Sequence, residues 1–314
     1  MGGYMLYFIV NEKSKSGNAK QIWMDIEEVL KVRNVSYQAF VSEYRGHAGK
    51  LAAEISAMDD DDICLVAVGG DGTANEVING ITDFEKVRFG VIPTGSGNDL
   101  ARGLSLSKDP KNGVIHILNA MKKTREDTWC MDLGEVSFGE EKRLFAISAG
   151  IGLDALVCKK ALKSKIKDLL NKIRLGKLTY LVLTVQSLFT MQTADAELIF
   201  DQEEGLQKRG MIFTAAMNFK AEGGGVPMAP AASARDGKLS FCEAAGIPKW
   251  RTFLCLPFLV AAKHTSIKGF SVTDAKECTI RLNRPMVVHA DGEYCGEVME
   301  VHFHCLPGKL RVLK

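Results

Sequence analysis

One run constrains this chain more than any other. Ile63–Val68 holds no polar side chain and leads straight into Gly69-Gly70-Asp71-Gly72-Thr73-Ala74-Asn75-Glu76. A strand without a polar position has no face to give to water, so it belongs inside a parallel sheet covered by helices on both sides. The glycines let the backbone turn sharply and bring its N–H groups close to an anion. A helix that follows adds the positive end of its dipole. Thr73 and Glu76 have capping-box spacing, which predicts a helix over Asn75–Ile81. Asp71 is out of place in a phosphate loop unless a metal or a proton is handled there.

A second loop repeats the logic. Val91-Ile-Pro93-Thr94-Gly95-Ser96-Gly97-Asn98-Asp99 follows a buried strand, Phe89–Ile92, and precedes a helical Leu-Ala-Arg stretch. In a parallel sheet both loops leave the carboxyl ends of their strands, where ligands bind. Two such loops, each carrying an acid, suit one polyphosphate and its Mg²⁺.

The rest of residues 1–127 alternates in the same way. Strands are expected at Leu6–Val10 and Val35–Val41. Helices are expected around Ile22, Ile26, Val29 and Leu30, over Ala48–Met58 and over Lys111–Lys122. From about Trp129 the texture becomes strand-rich with glycine turns, as in a sandwich. Met131–Phe138 and Arg143–Ala149 read as a hairpin. Ala196–Phe200, Met211–Asn218, Leu239–Ala244, Thr279–Leu282, Met286–Ala290 and Glu297–His304 read as further strands. Helical stretches fall at about 155–191 and 249–263. The expected fold is therefore α/β plus β: a parallel α/β domain, then a β-sandwich-like domain.

Composition narrows the function classes. The 314 residues carry 40 Lys+Arg against 38 Asp+Glu, a net charge of +2, which gives no electrostatic case for nucleic acid. With 46 % hydrophobic and 25 % charged residues, the chain is an ordinary globular one. Eight cysteines show no Cys-x-x-Cys pair, so reduced thiols in a cytoplasmic protein are expected. The N-terminus reads as a first strand, not a signal peptide. Leu178–Ala194 is uncharged but interrupted by Thr, Gln and Ser, and reads as a buried helix. Asp59–Asp62 reads as a solvated loop.

Taken in order, the motifs carry a resemblance. Gly-Gly-Asp-Gly-Thr with Asn-Glu, then Pro-x-Gly-Ser-Gly-Asn-Asp-x-Ala-Arg, resembles the diacylglycerol kinase catalytic-domain family, specifically the soluble bacterial lipid kinases. Asn11–Gly17 resembles the family's first loop, with Glu12 where proline is usual. Ser42 stands before a Gly-His-Ala turn. Asp132-Leu-Gly, Ala149-Gly-Ile-Gly-Leu-Asp-Ala, Asn218…Gly-Gly-Gly, Pro230-x-Ala…Asp236-Gly-x-Leu and Asp291-Gly-Glu293 also match. The Gly-Asp-Gly element alone is shared with nicotinamide-nucleotide kinases and phosphofructokinases.

The resemblance implies a nucleotide-binding domain over residues 1–127, joined by a returning tail at about 306–314. It implies a β-rich lipid kinase domain over 128–305. It implies an ATP-dependent lipid kinase, with diacylglycerol as first acceptor. Sphingoid, undecaprenol or phosphatidylglycerol kinases of the same fold, or a nucleotide-sensing protein without turnover, are the alternatives. Nucleotide contacts would come from Asn11, Ser16, Gly17, Ser42, Gly69, Gly70, Asp71, Gly72, Thr73, Asn75, Glu76 and Ser96. Asp71, Asp99 and Asp132 would reach Mg²⁺. Ser233, Asp236 and Lys238 would hold a structural metal, with Arg235 where an acid is often found. The Asp291–Glu293 turn would supply the base, Glu293 acting and Asp291 organising.

Three weaker signals remain. Gly150-Ile-Gly152-Leu-Asp-Ala155 fits a dinucleotide fingerprint but lacks the acid and the βαβ unit that should follow, so a tight turn is expected. His302 and His304 alternate onto one strand face with no third ligand nearby in sequence, so a half-exposed strand is expected. Lys159–Lys177 carries eight Lys/Arg and one Asp, with Leu162, Ile166, Leu169, Leu170 and Ile173 on one helical face. Such a helix suits the surface of an anionic membrane, or packs on its own domain.

Overall fold

The structure is a computed structural model that describes residues 5–14, 19–163 and 176–314. It divides into two compact units. Unit 1 is Met1–Leu133 with Pro307–Lys314, and unit 2 is Gly134–Leu306.

Unit 1 is built on parallel strands β1 (Leu6–Val10), β2 (Tyr37–Val41), β3 (Ile63–Gly69) and β4 (Val87–Pro93), in the order β4-β3-β1-β2. Strands β1 and β3 are buried at every position, which is why their sequences lack polar alternation. Leu6, Phe8, Cys64 and Val66 pack against helix α1 (Ala19–Val32) and helix α5 (Pro110–Ala120). Phe8 meets the Trp23 ring edge-on at 5.1 Å. Helix α2 (His47–Ser56) and helix α3 (Asp71–Gly80) pack against each other and the sheet, and a single turn, α4, spans Asp99–Gly103.

The returning tail completes this sheet. Arg311 and Val312 pair in parallel with Arg88 and Phe89, and the Leu313 N–H donates to the Phe89 carbonyl at 2.8 Å. The run Asp59–Asp62 is not a simple solvated loop. Asp62 pairs with the fully buried Arg88 at 2.6 Å, and Asp60 accepts the Tyr7 hydroxyl at 2.7 Å. A buried guanidinium needs a charged partner, and the loop supplies it. Burial, then the bond to Asp60, pushes the Tyr7 phenol up to about 12.

Unit 2 is antiparallel. Strands β7 (Ser148–Gly152), β10 (Phe213–Met217), β11 (Leu239–Ala244) and β12 (Phe270–Ala275) run in the order β12-β11-β10-β7. Next to them lies β13 (Glu277–Ala290), which pairs with β7 near its end and with β8 (Ala194–Phe200) near its start. β8 pairs in turn with β9 (Leu206–Met211). The break in register with β14 between Arg281 and Met286 falls between the part of β13 that pairs with β8 and the part that pairs with β7. Phe200, Phe241 and Phe303 meet in the core at ring distances of 5.4 and 6.1 Å. β14 runs over Glu293–Val312 and pairs with β13.

Arg143–Ala149 is not one strand. β5 (Trp129–Phe138) and β6 (Glu141–Phe145) form the expected hairpin, but the chain then breaks before β7. The amides of Ala146, Ile147 and Ser148 are taken by a carboxylate instead of a neighbouring strand. Helix α6 (Leu153–Lys163), helix α7 (Gly176–Thr190) and helix α8 (Lys249–Val260) complete the unit. α7 is not buried all round: Leu183 and Leu188 are covered, whereas Leu181, Val182 and Phe189 are about half exposed. No helix among the described residues is long and apolar enough to cross a membrane. All eight cysteines are free thiols. The basic stretch Lys159–Lys177 lies largely outside the described residues, as do Ser16 and Gly17.

Candidate functional site

In unit 1 the expected nucleotide residues stand at the carboxyl ends of parallel strands. Asn11 follows β1, Ser42 follows β2, Gly70 follows β3 and Thr94 follows β4. The strand ends are tied together there. Asn11 N–H donates to the Val68 carbonyl at 2.9 Å, Ser42 N–H to Val10 at 2.8 Å and Thr94 N–H to Gly69 at 2.8 Å. Asn11 Nδ2 also donates to Thr73 Oγ1 at 3.0 Å, and the Ser14 and Thr94 hydroxyls share a short hydrogen bond.

The two glycine loops meet backbone to backbone. A Cβ on Gly95 would lie 2.7 Å from the Gly70 Cα, and one on Gly70 would lie 3.2 Å from the Gly95 Cα. No side chain could be accommodated without parting the loops. Asn98, with φ 50°, closes the second loop by accepting the Gly95 N–H and donating to its carbonyl, both at 2.9 Å.

The capping box over Thr73–Glu76 does not form. α3 begins at Asp71, with Gly70 extended before it and no side chain capping its first turn. Thr73 is already inside the helix and its hydroxyl serves Asn11 instead. The uncapped amides of that first turn suit an anion. Asp71 reaches across to the second loop, where it accepts the Asp99 N–H and the Leu100 N–H, each at 3.1 Å. It thereby caps α4, whose own N-cap Asn98 does not. Asp99 is buried and pairs with Arg102. A Cβ on Gly97 would lie 3.1 Å from an Asp71 oxygen and 3.5 Å from an Asp99 oxygen, so both carboxylates border this glycine. Carboxylate oxygens at the strand ends form a donor set that fits a hard cation accompanying phosphate.

The remaining residues are placed less closely. Asn75 is buried, Glu76 half-buried and Ser96 exposed. Asp132 is buried and accepts the Gly308 N–H at 2.7 Å, which anchors the returning tail. Ser233, Asp236 and Lys238 are exposed, and Asp236 accepts the Lys238 N–H at 3.1 Å. Two groups of three His or acidic side chains gather among the described residues, and none of these expected metal residues is in either.

In unit 2, Asp291 and Gly292 form the two-residue turn between β13 and β14, flanked by the pair Ala290 and Glu293. Both have positive φ, 47° and 82°, as the tight hairpin turn demands. Asp291 is buried, and it ties down the broken segment before β7. Its Oδ2 accepts Ala146 N–H at 2.8 Å, and its Oδ1 accepts Ile147 and Ser148 N–H at 2.8 and 3.1 Å. Asn218 holds the same segment from the other side, donating from Nδ2 to the Ala146 carbonyl at 2.9 Å. Glu293 is half-buried at the start of β14.

Sequence reasoning missed what stands behind this turn. His289 Nδ1 accepts the Gly292 N–H at 3.2 Å, and its Nε2 faces Asp154 Oδ2 at 3.1 Å. Burial works against a charge on His289, but the bond to Asp154, with Glu222 and Asp291 beyond, outweighs it and raises its pKa. The glycine fingerprint at 150–155 serves this packing, since a Cβ on Gly150 would run into the Asp154 carboxylate. The motif signalled the turn and its Asp, but not the histidine that Asp would meet.

A parallel α/β unit with two apposed glycine loops, followed by a β-rich unit presenting an Asp-Gly-Glu turn, has the fold of the diacylglycerol kinase and NAD kinase-like proteins. The profile of the "Diacylglycerol kinase catalytic domain" matches residues 5–131, and that of the "YegS C-terminal NAD kinase beta sandwich-like domain" matches 147–314. With the two profiles together spanning most of its length, the chain belongs to the family that joins a diacylglycerol kinase catalytic domain to a YegS-type C-terminal domain. It is 29 % identical over 295 residues to the provisionally named lipid kinase YtlR of Bacillus subtilis (strain 168), covering 92 % of this chain and 93 % of that protein. It is 26 % identical over 291 residues to a diacylglycerol kinase of Mycobacterium tuberculosis, covering 91 % and 87 %. Its fold is shared with a diacylglycerol kinase structure from Bacillus anthracis str. Sterne at TM-score 0.69 and 17 % identity, covering 99 % and 96 %. An NAD kinase from Archaeoglobus fulgidus, solved with ATP, shares it at TM-score 0.55 and 14 % identity, covering 99 % and 94 %.

Proposed function

We propose that this lipid kinase transfers the γ-phosphate of ATP to the free hydroxyl of diacylglycerol, giving phosphatidic acid. The observation that carries the nucleotide half is the backbone apposition of Gly70 and Gly95 above an uncapped helix start. Unit 1 does the nucleotide work. Gly69–Glu76, Asn11, Ser42 and Ser96 hold ATP, together with Ser16 and Gly17, which lie outside the described residues. Asp71, Asp99 and Asp132 would hold Mg²⁺, directly or through water, and it would supply neutralisation of phosphate charge. A second hard cation at the Asp236 turn, using the Ser233 hydroxyl and the Lys238 carbonyl, belongs to the same reading.

The acceptor chemistry falls to unit 2. The lipid oxygen bonds to the γ-phosphorus as the bond to the ADP bridging oxygen breaks. The hydroxyl proton passes to Glu293, the general base. Asp291 is the organiser. Its carboxylate already takes three backbone N–H groups, which leaves it poorly placed to take a proton as well. His289, held by Asp154, steadies the turn through Gly292.

Peripheral contact with an anionic membrane follows from where the substrate resides, and unit 2 offers a surface for it. Trp250, Phe253, Leu254 and Phe258 on α8 are 40–60 % exposed, and Phe253 meets the exposed Phe189 of α7 at 6.1 Å. Arg251, Lys263 and Lys268 are exposed nearby, and no acid occurs between Ala244 and Thr273. Exposed aromatic side chains with cations close in sequence match an anionic bilayer surface. Eight free thiols favour a cytoplasmic setting, with the protein at the inner face of the membrane.

The test is an acceptor screen with γ-labelled ATP and Mg²⁺ against diacylglycerol, sphingosine, ceramide, polyprenols and phosphatidylglycerol in mixed micelles. Labelled phosphatidic acid as the dominant product is expected. Preference for another lipid would retain the kinase and replace the acceptor. No product with any acceptor, with ATP still bound, would favour a nucleotide sensor.

A further inference from the structure

Sequence alone offered His302 and His304 no third ligand, yet the fold supplies one. In the β13–β14 ladder Glu277 is directly opposite His304, and Thr279 is directly opposite His302. All four side chains therefore emerge on one face as a two-by-two patch. Glu277 Oε2 lies 3.8 Å from His302 Nε2 and 3.5 Å from His304 Nδ1. The three ligand atoms fall within 4.8 Å of one another. A tetrahedral zinc ion with bonds of about 2.0–2.1 Å places neighbouring ligand atoms roughly 3.3–3.4 Å apart. Both carboxylate–imidazole distances are within a few tenths of an ångström of that edge.

Hydrogen-bond partners hold two of the three side chains, His302 and Glu277. His302 Nδ1 shares a 2.9 Å hydrogen bond with the Thr279 hydroxyl, which leaves Nε2 for a metal. Glu277 Oε1 accepts Gln202 Nε2 at 2.8 Å, which leaves Oε2 facing the imidazoles. The backbone beneath is pinned as well. Asp201 Oδ1 accepts the N–H groups of Lys276 and Glu277 at 2.8 and 3.0 Å, and Cys305 N–H donates to the Lys276 carbonyl at 2.8 Å. Such partners fix ring orientation and tautomer in protein metal sites. The side chains are only 22–40 % exposed, so an ion can enter without any rearrangement of the core.

We propose that Glu277, His302 and His304 form a binding site for a zinc-like divalent transition-metal ion, with water completing its coordination. Two imidazoles and one carboxylate favour such ions over Mg²⁺, which demands octahedral oxygen ligation. The site is independent of the lipid kinase reading. It would act as a clip between two long strands, joining β13 near its start to β14 near its middle.

The full chain, stripped with chelator, is titrated with ZnCl₂ by calorimetry and with CoCl₂ by visible absorption. Saturable binding of one ion is expected, unaffected by millimolar Mg²⁺. His302→Ala and His304→Ala should each weaken it at least tenfold. Thr279→Val should cost about tenfold through the lost orienting bond. Saturating Zn²⁺ should raise the Tm of wild type and leave that of the double alanine variant unchanged. Glu277→Gln, which keeps the Gln202 contact, checks the site if an alanine variant folds poorly. Wild-type affinity in the double variant would assign the ion to other groups, such as thiols, and overturn the proposal. So would the absence of saturable binding.

Discussion

Asp291→Asn separates the architecture of the proposed catalytic turn from its chemistry. Asparagine tolerates the φ of 47° as aspartate does, so the turn itself should form. The hydrogen bonding cannot survive intact. A carboxylate offers two acceptor oxygens, whereas the amide offers one. If that oxygen keeps Ile147 and Ser148, the NH₂ group faces the Ala146 N–H at 2.8 Å, donor against donor. One charge-assisted bond is lost, a buried amide is stranded, and two further bonds lose their charge. At ~1.5–3 kcal/mol for a bond to a charged group, with a similar penalty for a stranded donor, the change should cost about 3 kcal/mol. A unit of this size should then melt roughly 6–12 °C lower. Glu293→Gln should cost about 1 kcal/mol or less but slow turnover roughly 10²–10⁴-fold with ATP affinity kept. The assays are scanning calorimetry on both variants and turnover at a temperature where both are folded. An Asp291→Asn protein melting with wild type would refute the account of the clamp. Near-normal turnover in both would remove the turn from the chemistry. Turnover lost only in Asp291→Asn, on a stable protein, would exchange the two roles.

Two further outcomes are expected. Gly95→Ala places a Cβ 2.7 Å from Gly70 Cα, short of ordinary contact at 3.4 Å, so the loops must part by about 0.7 Å; ATP affinity should fall by about tenfold or more in a folded protein, and unchanged calorimetric affinity would dissociate the loops from the nucleotide. Replacing Trp250 and Phe253 by Ser should weaken sedimentation with anionic vesicles, most visibly at high salt where exposed charges are screened, and leave ATP affinity alone; equal sedimentation would leave α8 an ordinary surface helix.

The elements legible in sequence were those whose burial is uniform. β1 and β3 are covered on both faces, so their apolar runs announced them with little ambiguity. β9, Leu-Gln-Lys-Arg-Gly-Met, is mostly exposed and carries no such pattern, and it went unread. β13 read as two strands because its register breaks around Pro285, and β14 read as less than half its length. In the site, the glycine loops and the Asp-Gly turn were visible as local backbone chemistry. The bonds that organise them were not. Asp71 caps a helix 28 residues away and Asp291 clamps amides about 145 residues away. No local window holds both partners. The misread start of α3 has the same origin: Thr73 and Glu76 have the right spacing for a cap, but Asn11 claims the threonine.

The tail that closes the sheet of unit 1 also sets the order in which that sheet can be finished on the ribosome. β4 is buried along nearly its whole length, and its outer edge is met by Arg311, Val312 and Leu313. Those residues are translated only after all of unit 2. Through that interval the nascent chain carries an apolar strand with one open edge, the kind of surface that recruits a chaperone or pairs with another chain. Nonsense codons or C-terminal fusions in this stretch would act on a domain whose other strands were made two hundred residues earlier, roughly ten seconds or more at ordinary elongation rates.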